Sequence, residues 1–217
     1  MSLFRLDASI RTSGSVSRAI ADIVEESWRQ GNPDAEVTRR HVGTDPIPST
    51  SWALSVFADR GDLASLDADQ KDAVDLAATL TDELLAADAL LFAVPLYNFG
   101  VSEHFKTWVD MVISDPRSNG QFLKGRPAVL IVVRGGAYGA GTPREGWDHA
   151  SSWIRRILED VWGLDLRMVE TEFTLAGVNP ALDEFKGLAA EMRAESERIA
   201  AEHGRHLAGT SALNGKA

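Results

Sequence analysis

The chain contains no cysteine, which excludes disulfides, thiolate catalysis and cysteine-ligated zinc or iron–sulfur centres. It has no run of about 18 apolar residues, the length a membrane-spanning helix needs. No membrane span is therefore expected. Positive charge is scarce: 22 Lys and Arg stand against 32 Asp and Glu, a formal net charge of −10. A surface this acidic repels nucleic acid and anionic lipid. Neither is an expected partner, and any phosphate must be held locally by backbone N–H groups and hydroxyls. Two nucleotide signatures are missing as well. No lysine follows the first loop in the Walker pattern, and no Gly-x-Gly-x-x-Gly opens a dinucleotide fold. The histidines (His41, His104, His149, His203 and His206) are scattered, so no metal site is expected. Residues 1–10 lack a long apolar core and a small-residue cleavage site. They read as a first strand, not a signal peptide, and a cytoplasmic address is expected.

What is present is an alternation of strand-like and helix-like segments. Residues 3–8 read as a buried strand. Val16, Ile20, Ile23, Val24 and Trp28 then recur at helical spacing, until Gly31, Asn32 and Pro33 stop the helix. Residues 36–42 suit a more polar second strand. Pro46 and Pro48 break regular structure, and a helix capped by Asp67 or Asp69 runs to about Ala87. The apolar runs 89–94 and 128–133 suit strands buried on both faces, as in a parallel sheet. Amphipathic residues 101–114 follow the first run. Residues 134–146, with five glycines and one proline, form a loop after the second. Residues 147–162 read as a helix, 166–174 as a strand and 181 to about 206 as a last helix, with the tail from about Leu207 frayed.

The order βαβαβαβαβα implies βαβ units around a parallel sheet. Five strands and five helices fit a flavodoxin-like doubly wound sheet of order 2-1-3-4-5, with helices on both faces. The 217 residues suit a single domain, 1–217.

In that architecture ligands bind at the carboxyl ends of the strands, near the switch point between the first and third. The rule selects three loops. The first, Ser9-Ile10-Arg11-Thr12-Ser13-Gly14-Ser15-Val16-Ser17, opens a helix. Free N–H groups and the positive end of the macrodipole attract phosphate there, and Ser9, Ser15 and Ser17 add hydroxyls. The same serines also suit a turn and an N-cap. The second, Pro95-Leu96-Tyr97-Asn98-Phe99-Gly100, offers an aromatic wall and an amide for a planar ring. A core turn with a capping Asn would read alike. The third begins Arg134-Gly135-Gly136, where glycines allow close backbone approach and Arg134 could face an anionic ring edge. Alone it reads as a surface loop. Together the three loops supply a phosphate site, a ring wall and a ring edge.

At these residues the chain resembles the FMN-dependent NADH-azoreductase and NADH:quinone oxidoreductase family. The matching text is Ser9 with Ser15-Val16-Ser17, then Pro95-Leu96-Tyr97-Asn98-Phe99 with Phe105, Lys106 and Asp110, then Arg134-Gly135-Gly136. Pro46-Ile47-Pro48 and Trp28-Arg29 also match, and the likeness spans essentially the whole chain. The resemblance implies non-covalent FMN, NADH or NADPH as donor, and quinones or aromatic azo compounds as acceptors in a ping-pong cycle. It also implies a homodimer with its sites at the interface. Ser9, Arg11, Ser15, Val16 and Ser17 would hold the phosphate end. Pro95, Leu96, Tyr97, Asn98 and Phe99 would line the flavin ring, with Val133, Arg134, Gly135 and Gly136 along its other polar side. Tyr97, Asn98 and backbone N–H groups would stabilise charge at the ring's polar edge. No catalytic side chain is expected, because the cofactor carries the chemistry.

Two departures stand out. Val133 replaces a frequent Ser or Thr. The segment 114–122, which in the family helps roof the flavin, is short. Two other readings of the same fold are an electron carrier or flavin-binding regulator without its own substrate, and a hydrolase with Ser9 or Ser15 as nucleophile. The second needs an adjacent base that the sequence does not place.

Overall fold

The computed structural model describes residues 1–214, with side chains described to position 209. Its strands are β1 (Ser2–Asp7), β2 (Glu36–Arg40), β3 (Ala89–Pro95), β4 (Pro127–Val133) and β5 (Asp165–Thr171). They form one parallel sheet in the order β2-β1-β3-β4-β5. This is the flavodoxin-like topology expected. The helices are α1 (Val16–Gly31), α2 (Ser51–Phe57), α3 (Ala68–Leu85), α4 (Glu103–Ser114), α5 (Ser151–Arg155) and α6 (Lys186–Asn214). None among the described residues is long and apolar enough to cross a membrane.

Side chains alternate across a strand, and here both faces are apolar. Phe4, Leu6, Phe92 and Leu130 join Trp108 of α4 and Trp162 in one core. Its rings interlock: Phe4 stacks on Trp108 at 6.2 Å between centroids, and Trp108 meets Trp162 edge-on at 5.5 Å. Leu3, Leu91, Val129 and Ile131 face the opposite way and pack with Ile20 and Trp28 of α1 and with Leu207 of α6. Helix starts follow their caps. The Ser15 hydroxyl accepts from Arg18 N–H at 3.3 Å, and Asp67 with Gln70 forms a capping box on α3.

Several boundaries differ from expectation. The strand expected over 166–174 ends at Thr171, and the one expected over 36–42 ends at Arg40. The helix expected from residue 147 starts at Ser151, because the Asp148 carboxylate takes the N–H groups of Ala150 and Ser151, both at 2.9 Å. Its last part, Arg156–Val161, is π-wound. The final helix is preceded by a 3₁₀ turn, Pro180–Phe185. The tail is not frayed from Leu207: α6 continues to Asn214 and Leu207 is fully buried. Residues 215–217 lie outside the described residues.

Helix α6 stays on because it lies close along α1. A Cβ on Gly204 would overlap the Val24 carbonyl and stand 2.6 Å from Ser27 Cβ. Gly204→Ala gains about 1 kcal/mol of helix propensity, against an overpacking cost of about 1–3 kcal/mol. Because the obstacle is backbone, which cannot rotate away, the cost sits at the top of that range. Thermal unfolding should show a net loss of about 1–2 kcal/mol, or roughly 2–8 °C in Tm.

Candidate functional site

The carboxyl ends of β1, β3 and β4 meet at one edge of the sheet, and a cavity of about 400 Å³ opens there. That volume lies in the range of small-molecule sites. From the first loop it takes Ser9, Arg11, Gly14, Ser15, Val16 and Ser17. Pro95, Leu96 and Tyr97 come from the loop after β3, and Val133 and Gly135 from the end of β4. Thr174, Leu175 and Val178 close it from the loop after β5. No acidic residue among the described residues lines it.

One end of the cavity is built to accept an anion. Ser9, Ser15 and Ser17 are buried, and the Ser15 and Ser17 hydroxyls lie 3.2 Å apart. Val16 and Ser17 are the first residues of α1, so their N–H groups have no carbonyl one turn back to bond. Gly14 has φ +64°, and nothing stands within 4 Å of where its Cβ would be. The chain thus turns into the helix with its N–H groups bared. Neither Ser9 nor Ser15 bonds an imidazole: their partners are Tyr97 and Arg11 for the first, Ser17 and Arg18 for the second. The structure gives a hydrolase reading no base.

The loop after β3 is a two-residue hairpin. Tyr97 N–H donates to the Gly100 carbonyl at 3.1 Å, and Gly100 N–H donates back at 2.9 Å. Asn98 and Phe99, at its tip, have φ +48° and +69°, the signature of a type I′ turn. Such backbone is costly for Phe and persists where the surroundings enforce it. The turn folds back so that the Tyr97 hydroxyl accepts from Ile10 N–H at 3.1 Å and lies 3.4 Å from Ser9 Oγ. Tyr97 therefore ties the ring-wall loop to the serine loop.

Four expected residues are not on this cavity's wall. Asn98 and Phe99 sit at the hairpin tip, where Phe99 packs edge-on against Trp147 at 5.4 Å and Tyr138 at 6.2 Å. Gly136 lines a neighbouring cavity. Arg134 points away. Its guanidinium bonds Asp148 (2.7 Å), Ser151 (2.9 Å) and Glu170 (2.6 Å), with Glu172 at 3.8 Å. Arg134 therefore braces the loop and does not face a ring edge. The adjacent backbone is open: the N–H groups of Gly135 and Gly136 donate to no protein acceptor among the described residues. The Tyr97 N–H is spent on the Gly100 carbonyl. The short 114–122 segment lines no part of the cavity. Arg117 ties it to α3, bonding Asp82 at 2.5 Å and the Ala78 carbonyl at 2.9 Å.

The residues that sequence reasoning missed, Thr174, Leu175 and Val178, lie in a loop with no compositional signal. Leu175 packs so closely on Gly135 that a Cβ there would stand 2.7 Å from Leu175 Cδ1.

Buried ion pairs set the response of the fold to acid. Burial opposes ionisation of Asp148, but the hydrogen bonds of Ser151 and Arg134 outweigh it and hold the carboxyl below its ordinary range. Burial is likewise outweighed at Glu25 by Arg29 and Arg5, and at Asp115 by Arg117. A depressed carboxyl contributes stability that is present above its unfolded pKa and lost as pH falls through the folded one. Asp7 opposes this. Burial pushes its carboxyl up against Arg5 and His41, so its share is present at low pH and lost as pH rises. Below the ordinary carboxylate range Asp7 is protonated in both the folded and the unfolded chain, so only the depressed groups change their contribution there. The urea midpoint should therefore fall steadily as pH drops below about 4, the ordinary carboxylate range.

Comparison with known proteins adds three findings. The model of the flavodoxin-like fold family matches residues 1–196. A protein of Frankia casuarinae named FMN-dependent NADH:quinone oxidoreductase is 38% identical over 203 residues, covering 91% of this chain and 96% of its own. Its namesake in Frankia alni is 39% identical over 200 residues, covering 90% and 94%. An azoreductase from Bacillus anthracis superposes with a TM-score of 0.79 at 18% identity, over 95% of this chain and 99% of that one. At that identity the likeness is one of fold.

Proposed function

Since the chain belongs to the flavodoxin-like family, among whose members are the FMN-dependent NADH:quinone oxidoreductases, we propose that it is an FMN-dependent oxidoreductase. It passes electrons from NADH to quinones and aromatic azo compounds, with donor and acceptor taking turns at one site.

The observation that carries this reading is the donor set of the cavity. Buried hydroxyls of Ser9, Ser15 and Ser17 and the open start of α1 converge at one end. Such a set suits a phosphate or another compact anion. Next to it lies an apolar wall of Pro95, Leu96, Val133 and Leu175, with the unpaired N–H groups of Gly135 and Gly136 beyond. These residues fit FMN. The serines and the N–H groups of Val16 and Ser17 would hold its phosphate, and the wall and glycine backbone its ring.

When bound, FMN supplies the electron transfer between nicotinamide and acceptor. The chain's own work is to bind, orient and exclude water. Tyr97 locks the two loops in register, and Arg134 fixes the loop that carries the glycines. Val133 offers a methyl surface where a hydroxyl would add one hydrogen bond, so the ring edge rests on backbone alone.

We also propose a homodimer. Helix α2 presents Trp52, Val56 and Phe57 to solvent, and Phe57 is 81% exposed. Ile113, Phe99 and Trp147 are exposed as well. Apolar surface of this kind marks an interface, and light scattering should give twice the chain mass of 23.5 kDa. The whole chain, 1–217, is taken as one domain, and a reaction that consumes NADH gives it a cytoplasmic address.

The test of the activity is steady-state oxidation of NADH by the FMN-loaded protein with a naphthoquinone as acceptor. Turnover that needs all three components supports the reading; no oxidation above the free-flavin rate contradicts it. Ser17→Ala should weaken FMN binding by about tenfold or more. A hydrogen bond to a charged phosphate contributes roughly 1.5–3 kcal/mol.

A further inference from the structure

A second cavity lies beside the first, with a volume of about 530 Å³. Leu175 is common to both, and adjacent Gly135 and Gly136 open one onto each. Its walls are apolar: Phe173, Leu175, Leu182, Phe185 and Ala137 among them. Phe173 and Phe185 stack at 4.9 Å with 26° between their planes. Phe173 holds this place with φ +54°, a conformation that side chains other than glycine rarely adopt. The polar groups at the wall are mostly occupied. The Thr142 hydroxyl donates to the Gly139 carbonyl at 2.8 Å, and the Asn179 carboxamide oxygen accepts from Ala181 N–H at 3.1 Å.

Arg144 is the exception. Its guanidinium lies over the rings of Phe99 (5.7 Å) and Tyr138 (6.0 Å) and lines this cavity. Among the described residues its guanidinium has ring contacts but no carboxylate partner, and no acidic side chain lines the cavity. In a chain of net charge −10, the buried arginines Arg5 and Arg134 are neutralised, whereas Arg144 is exposed and unpaired among the described residues. Arg5, Arg40 and Arg134 each pair with at least one acid. Aromatic faces position a guanidinium without cancelling its charge, so Arg144 stays open to an anion.

We propose that this cavity is a small-molecule site for a flat aromatic ligand bearing one anionic group, with Arg144 reading the charge. As a substrate subsite it rests on the flavin reading given above; as a binding site it does not. The same chemistry has two sources, the sulfonate or carboxylate of an aromatic acceptor and the adenylate end of a dinucleotide donor.

Calorimetric titration of the protein, with and without FMN loaded, separates these cases. The probes are naphthalene-2-sulfonate, its uncharged analogue naphthalene-2-methanol, and AMP. Binding of the sulfonate at least tenfold tighter than the methanol supports an acceptor site, and tight binding of AMP supports a donor site. Arg144→Gln should reduce that preference to within twofold, and Arg144→Lys should restore most of it. Leu182→Trp, which fills the cavity, should abolish binding of the ring itself. In the kinetic arm, Arg144→Gln should lower the ratio of kcat/KM for a sulfonated over a plain naphthoquinone about tenfold, through KM. Binding of neither anion, or a preference unchanged in both Arg144→Gln and Leu182→Trp, overturns the proposal. If the protein takes up no FMN yet still discriminates through Arg144, the flavin reading fails and this site stands. If it turns over NADH without discriminating, the reverse holds.

Discussion

Arg134→Met lowers the unfolding free energy by about 3 kcal/mol and loosens the loop that follows β4. Arg134 is 8% exposed and sits among Asp148, Glu170 and Glu172. Methionine keeps the apolar stem but removes the charge. Glu170 is half-exposed and resolvates without much cost, whereas the side chains of Asp148 and Glu172 are 14% and 12% exposed and cannot. Stranding a buried charge costs about 3–5 kcal/mol. The low end applies, because Asp148 keeps the N–H groups of Ala150 and Ser151 and the Ser151 hydroxyl at 2.6 Å. In a chain of this size, about 3 kcal/mol corresponds to roughly 6–12 °C in Tm. Calorimetry at neutral pH checks this. Double replacement with Asp148→Asn should recover a good part of the loss, since it removes the stranded charge. A single variant that melts within about 2 °C of wild type would show that the brace carries little.

Gly43→Ala weakens FMN binding on the order of 100-fold while leaving the sheet intact. Gly43 follows β2, and its N–H reaches the Asp7 carbonyl at 3.5 Å. A Cβ there would overlap the Ser9 carbonyl and stand 2.8 Å from the Ala8 carbonyl oxygen. Both are backbone atoms, so no rotamer relieves the clash. Ala8 is fixed to β3 through its N–H on Ala93 at 3.0 Å, so the Ser9 end of the loop must yield. Ser9 moves away from the Tyr97 hydroxyl, and the register of the phosphate end goes with it. Losing one to two charge-assisted hydrogen bonds at roughly 1.5–3 kcal/mol each gives about two orders of magnitude in Kd. Flavin fluorescence titration measures the affinity, and circular dichroism confirms that the fold survives. Unchanged affinity would mean that the serine loop does not hold the cofactor.

Much of the fold was legible because its signals are local. The apolar runs 89–94 and 128–133 mark strands with both faces covered, and β3 and β4 are buried throughout. Gly31 with Asn32 and the Ser15 cap bound α1 as read. The cavity was legible in part for the same reason. The three loops at strand ends could be chosen from topology alone, and the serines and Tyr97 fall on its wall.

What was not legible depends on contacts distant in sequence. Nothing local to Arg134 reveals that Asp148, Glu170 and Glu172 surround it, so a guanidinium beside two glycines looked aimed at a ligand. Leu175 and Val178 belong to a loop that only the packing of β5 brings near β1. The tail from about Leu207 reads as frayed. Gly204 lets α6 approach Val24 and Ser27 and so buries Leu207, a contact that no local pattern reveals.

The central claim is that the serine loop and the start of α1 hold the phosphate of FMN. Titration of FMN into purified wild-type protein and into Ser17→Ala, followed by flavin absorbance and fluorescence, tests it most directly. One FMN per chain should be taken up by wild type with a shifted visible band, and Ser17→Ala should bind at least about tenfold more weakly. No uptake by wild type, or equal uptake by both proteins, would contradict the account.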